Sequence, residues 1–150
     1  AVRHRMCSPM QESTRYCNYS PEGKHGLNVI EPLFFEEDSH KYRIWQMAMT
    51  KAEHYYNDLL KAGATPQEAR SVLPNSLKTK LKIKANVREW IHIFQLRALN
   101  KGAHPQIREI MIPALKECAE RWPVLFEWLW NKLEDENPTS GYTKAKNPEL

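Results

Sequence analysis

Arg3, His4 and Arg5 stand side by side near the start of the chain, and Ser13-Thr14-Arg15 follows after seven intervening residues. Two guanidinia and an imidazole held this close repel one another and are tolerated best where an anion neutralises them. A guanidinium offers a fork of donors that matches phosphate or carboxylate. The Ser13 and Thr14 hydroxyls and nearby backbone amides can complete an anion cradle. Composition alone reads the same stretch as a basic, solvated arm.

Further candidates lie downstream. Arg70 sits in Glu68-Ala69-Arg70-Ser71-Val72-Leu73-Pro74, and by spacing alone it is a solvated helix-surface arginine. At about 100° per residue, Trp90, Ile93, Phe94 and Arg97 share one helical face, and Arg88, His92 and Gln95 share another. A guanidinium on an apolar face is costly unless it snorkels out or meets an anion or an acceptor, and spacing leaves both open for Arg97. The three cysteines, Cys7, Cys17 and Cys118, form no CxxC pair and are odd in number, which favours a reducing, cytoplasmic setting over a disulfide framework. The six histidines show no HExxH or other ligand spacing, so no metal site is expected.

Arg-His-Arg, seven residues, then Ser-x-Arg resembles the signature of the flavin-dependent thymidylate synthases, and Arg3, His4, Arg5, Ser13 and Arg15 match it in full. The resemblance continues through Ala69, Arg70, Leu73 and Pro74 and through Asn86, Arg88 and Arg97. It covers most of residues 3–122. It implies methylation of dUMP to dTMP, with methylenetetrahydrofolate as carbon donor, FAD carrying the hydride and NADPH as reductant. The residues implied to face FAD are Arg3, His4, Arg5, Gln11, Asn86, Val87, Arg88 and His92. Those implied to face dUMP are Gln11, Glu12, Ser13, Thr14, Arg15, Arg70 and Arg97, with Arg97 catalytic through stabilisation of the ionised uracil. Two positions depart from the pattern: His92 stands where many members have Asn, and Gln11 where many have Glu. The implied fold is α+β, mostly helical here with a few short strands. Residues 1–136 are expected to be the C-terminal major part of a thymidylate synthase complementing-type domain whose N-terminal part is absent. Active sites shared within a homotetramer are implied as well.

The elements that must position these residues are partly readable. Tyr16–Ser20 and Leu27–Pro32 are short strand candidates, with a Pro/Gly loop between them. Helical spacing runs from Ser39 through Trp45, Met49, Ala52, Tyr56, Leu59 and Leu60, with Gly63 as a stop. A second helix opens at Thr65-Pro66 and ends before Pro74. From Leu77 to Lys84, Leu77, Thr79, Leu81 and Ile83 alternate with four lysines, which predicts a half-buried strand. Asn86 with Glu89 resembles a capping box at the start of the next helix. Ile107, Ile110, Met111, Ala114, Leu115, Cys118, Ala119 and Trp122 outline another helix, which Pro113 should kink or divide. Pro123 opens a last helix containing Leu125, Phe126, Leu129 and Trp130, and residues 137–150 form an expected disordered tail.

The 150 residues suit one domain. Hydrophobic residues make up 41% and charged residues 27%, as in ordinary globular proteins. No apolar run approaches the ~20 residues of a membrane span, so no membrane partner is expected. A net charge of +4 suits anionic ligands. Two rival readings remain: a methyltransferase with Cys7 as nucleophile, and a nucleic-acid-binding module built on the lysine strand. The second lacks aromatic residues among the lysines to stack bases, and no nucleic acid is expected.

Overall fold

The computed structural model describes residues 4–21, 23 and 26–136; Arg3 and the expected tail at 137–150 lie outside them. The chain divides into two compact units, Pro9–Ile83 and a second made of Ala1–Ser8 with Lys84–Leu150.

In Pro9–Ile83 the long helix α1 spans His40–Lys61 and starts where the spacing predicts; Ser39 caps it, its hydroxyl accepting the Tyr42 N–H at 3.1 Å. The helix stops where the chain reaches Gly63, whose φ of 90° favours a residue without a side chain. Helix α2 spans Pro66–Ala69, with Pro66 in the first turn, and runs on into a 3-10 turn at Arg70–Val72. The Glu68 carboxylate reaches back to the Thr65 N–H and hydroxyl, both at 2.8 Å. Tyr56, fully buried, centres a small core with Cys17, Tyr19 and Ala69, against which Leu27, Leu59, Leu60, Val72, Leu73 and Leu77 pack.

Two short strands, β1 at Cys7–Gln11 and β2 at Leu81–Ala85, form a two-stranded sheet. The Glu12 N–H donates to the Lys80 carbonyl at 3.0 Å, so the end of β1 meets the start of β2 and the strands run antiparallel. Three strand expectations change. Tyr16–Ser20 is a turn and irregular backbone, tied down by the buried side chains of Cys17 and Tyr19. Leu27–Pro32 contributes one antiparallel bridge, Val29 to Leu77. The lysine strand begins at Leu81, four residues later than its alternation suggests, and Leu81 stays 47% exposed because the face bearing it is only partly covered.

In the second unit α3 spans Val87–Phe94 and passes without a break into a π-helical turn at Gln95–Leu99. Helices α4 (Pro105–Arg121) and α5 (Pro123–Glu136) follow. Their core gathers Ile93, Phe94, Ala98, Leu99, Met111, Ile112, Leu115, Ala119, Phe126, Leu129 and Leu133. Phe94 meets Phe126 edge to face at 5.8 Å. Pro113 does not divide α4; it lies on the exposed side, where water can satisfy the carbonyl its ring leaves unpaired. Ile110 and Trp122, expected on the apolar stripe, are 63% and 51% exposed, while Ile112 and Leu133 are buried in their stead. The architecture is α+β, as expected, and none of the described helices is long and apolar enough to cross a membrane.

Candidate functional site

In the second unit the signature histidine turns inward. His4 is 8% exposed and Glu89 is 7% exposed, and His4 Nδ1 lies 3.3 Å from Glu89 Oε1. On the other side of the ring, Arg97 Nε donates to His4 Nε2 at 3.2 Å. His92, exposed on α3, sets its ring edge-on to His4 at 5.8 Å. Burial pulls the His4 pKa below its ordinary value; the charges of Arg97 and His92 add to this, and Glu89 opposes it. The two contacts match a ring that accepts from Arg97 at Nε2 and donates to Glu89 at Nδ1.

Arg97 stands in the π turn, half-buried. Extrapolating α-helical spacing places it on a face with Ile93 and Phe94. The wider turn changes the angular step after Phe94, and its partner among the described residues is the imidazole of His4. Arg108 Nε donates to the Ala98 carbonyl at 3.2 Å, satisfying an acceptor in the same turn.

The start of α3 carries the other expected cofactor residues of this unit. Asn86 caps the helix, its Oδ1 accepting the Glu89 N–H at 2.9 Å. The capping box is incomplete, because the Glu89 carboxylate is committed to His4. Val87, Arg88 and Arg5 are exposed, and neither arginine pairs with a carboxylate among the described residues. With Glu89 turned inward, the charge exposed by these residues is cationic.

In Pro9–Ile83 the Ser13-Thr14-Arg15 turn and the end of α2 come together. Arg70 Nη1 donates to Thr14 Oγ1 at 3.2 Å, and Arg15 Nε donates to Gln67 Oε1 at 2.8 Å. The Ser13 carbonyl and hydroxyl accept from the Tyr16 and Arg15 amides at 3.2 and 3.4 Å, and the Arg15 guanidinium lies 5.4 Å from the Tyr16 ring centroid. Both arginines are exposed, and among the described residues neither has a carboxylate partner. Their acceptors are neutral, so neither positive charge is matched by a carboxylate among the described residues. Gln11 is exposed at the end of β1. Burial raises the Cys17 and Tyr19 pKa values, Tyr19 to about 12, and the charge of half-buried Glu12 adds to both.

Gln67 and Glu89 escape a reading by sequence. Gln67 lies one helical turn before Arg70, a spacing that does signal a shared face; Glu89 bears no such mark, being 85 residues from the histidine it holds. Cys7 Sγ donates to the His4 carbonyl at 3.0 Å, so the thiol of the rival nucleophile reading serves as a backbone brace.

The sequence profile of the thymidylate synthase complementing protein matches residues 1–124. The chain belongs to this family. Among relatives of the family, the flavin-dependent thymidylate synthase of Pyrococcus abyssi is 35% identical over 132 residues, covering 88% of this chain and 53% of the relative. That of Geobacter sulfurreducens is 30% identical over 125 residues, covering 83% and 52%. The chain thus spans about half the length of the curated relatives it matches. The crystal structure of a UMP/dUMP methylase, PolB from Streptomyces cacaoi bound with 5-Br dUMP, superimposes with a TM-score of 0.64 at 25% identity, over 84% of this chain and 63% of that one. The thymidylate synthase complementing fold therefore extends over most of the present residues.

Proposed function

We propose that this chain carries part of the active site of a flavin-dependent thymidylate synthase, an enzyme that converts dUMP to dTMP. The observation that carries the reading is the pair of exposed guanidinia, Arg15 and Arg70, held in place by Gln67 and Thr14 with no acidic partner among the described residues. A nucleotide phosphate supplies the missing charge and can accept from both forks. Ser13 and Thr14 add hydroxyls, and Gln11 and Glu12 flank the same turn.

Arg97 is the residue assigned to chemistry. Uracil becomes a carbon nucleophile once its imide nitrogen loses a proton, and a preorganised guanidinium stabilises the resulting anion. Its Nε is engaged by His4, which leaves the terminal NH₂ groups as donors toward the ring.

The residues present fit a flavin dinucleotide. Arg5 and Arg88 are exposed cations, the Asn86 amide group is a remaining donor beside its cap bond, and Glu89 withdraws its charge from that end of α3. Arg5, Asn86, Val87, Arg88 and His92 would hold FAD, with Arg3 beside them in the signature. When bound, FAD supplies the hydride that completes the methyl group, with NADPH as reductant and methylenetetrahydrofolate as carbon source. A homotetramer with shared sites, in the cytoplasm, completes the reading. The test is a dUMP titration, with flavin absorbance and tritium release from [5-³H]dUMP, on the protein with its natural flanking sequence. Absence of flavin together with failure to bind dUMP would sink the proposal.

A further inference from the structure

We propose that Glu89 is a positioning residue that orients Arg97 through His4. The argument turns on what each neighbour of the imidazole can do. A guanidinium has donors and no acceptor, so the ring nitrogen facing Arg97 Nε must offer a lone pair. An ionised carboxylate has acceptors and no donor, so the nitrogen facing Glu89 Oε1 must carry the hydrogen. A ring with one committed acceptor and one committed donor has a single neutral tautomer, Nδ1–H. Both contacts lie at buried or half-buried positions, where an unmatched polar atom is costly.

The consequence falls on Arg97. With Nε tied to a fixed lone pair, the guanidinium plane loses rotational freedom and its two NH₂ groups are aimed together. Neither makes a hydrogen bond to another side chain among the described residues. A ligand that needs a planar pair of donors meets them already arranged. Glu89 touches neither that ligand nor Arg97; it acts by holding the proton of His4 on the far nitrogen. The effect on turnover rests on the function proposed above, whereas the tautomer can be read in the protein without any ligand.

The experiment is ¹⁵N NMR of the histidine ring nitrogens in the wild-type protein, Glu89→Gln and Glu89→Leu, followed by dUMP methylation kinetics on the flavin-loaded protein. In the wild type the His4 Nδ1 resonance should be that of a protonated nitrogen and Nε2 that of a lone pair. Gln retains an acceptor, so Glu89→Gln should keep this pattern and most of kcat. Leu removes it, so Glu89→Leu should lose the Nδ1–H form and drop kcat by about tenfold or more, the range seen for partners that orient a histidine elsewhere, with little change in KM for dUMP. An Nε2–H tautomer in the wild type, or an unchanged tautomer in Glu89→Leu, overturns the proposal. The expected tautomers in a protein that neither binds nor methylates dUMP would uphold it and refute the assigned reaction.

Discussion

The phenolic oxygen of Tyr56 accepts the backbone N–H of Tyr19 at 3.2 Å, deep in the core of Pro9–Ile83. The two rings also meet edge to face at 6.1 Å. This bond fastens the irregular segment after the signature turn to the C-terminal part of α1. Tyr56→Phe keeps the ring and removes the acceptor, leaving a buried amide unmatched, and should cost about 1–3 kcal/mol. Urea unfolding measures it, with Tyr55→Phe on the exposed side of α1 as the control that should change little. Equal stability of the two variants would show that the Tyr19 amide finds another acceptor.

Arg70→Ala should weaken dUMP binding roughly ten- to hundredfold while kcat at saturation changes little, since a phosphate is charged both before and after reaction. Gln67→Ala should do the same more mildly, because Arg15 loses the acceptor that holds it. Calorimetric titration with dUMP and with deoxyuridine separates the effects. If either substitution weakened deoxyuridine binding as much as dUMP binding, the phosphate assignment would be wrong.

For Arg97 the expectation is reversed. An interaction that grows as the uracil anion forms should be lost from kcat more than from KM. Removing one preorganised donor costs about 3–4 kcal/mol, or roughly a hundredfold or more in rate. Arg97→Lys retains the charge but not the fork, and should recover only part. Near-normal kcat in Arg97→Ala, with flavin bound, would take Arg97 out of the chemistry.

Acid should loosen the second unit through His4. Its pKa is lowered in the folded state, first by burial and then by Arg97 and His92, against the pull of Glu89. The unfolded chain therefore takes up a proton first as pH falls below the ordinary value of 6.5. The stabilisation is complete above that value and is lost progressively as pH falls from it toward the lowered folded pKa. Urea midpoints between about pH 5 and 8 should drop on the acid side in the wild type and less steeply in His4→Gln. Parallel slopes would mean that His4 is not the titrating group.

How much of this could be read beforehand depends on whether the signal was local. Thr65 with Glu68, and Asn86, announce helix starts because a cap is written within four residues, and apolar spacing announces the start near Ser39. The Ser13–Arg15 turn and Arg70 are legible through the family signature, and the structure brings Thr14 and Arg70 within hydrogen-bond reach. Strand β1 was not legible: four of its five residues are exposed, so no alternation marks it. The Glu89–His4 pair joins groups 85 residues apart, which no periodicity encodes. Tyr16–Ser20 is a strand candidate by sequence, yet Tyr16 is 80% exposed and Tyr19 is buried against Tyr56 rather than in a sheet.

The π turn at Gln95–Leu99 also has a bearing on how this chain can vary. An i→i+5 turn is an α-helix that has absorbed an extra residue without breaking. On one side of that residue stand Ile93 and Phe94, on the other Ala98 and Leu99, and both pairs enter the same core. Between them Arg97 is thrown out of phase toward His4. Substitutions in this stretch alter one side chain at a time. A change of length there would rotate Ala98 and Leu99 about the helix axis, away from the core they enter, so the residue count of Gln95–Leu99 is itself a constraint, independent of which residues fill it.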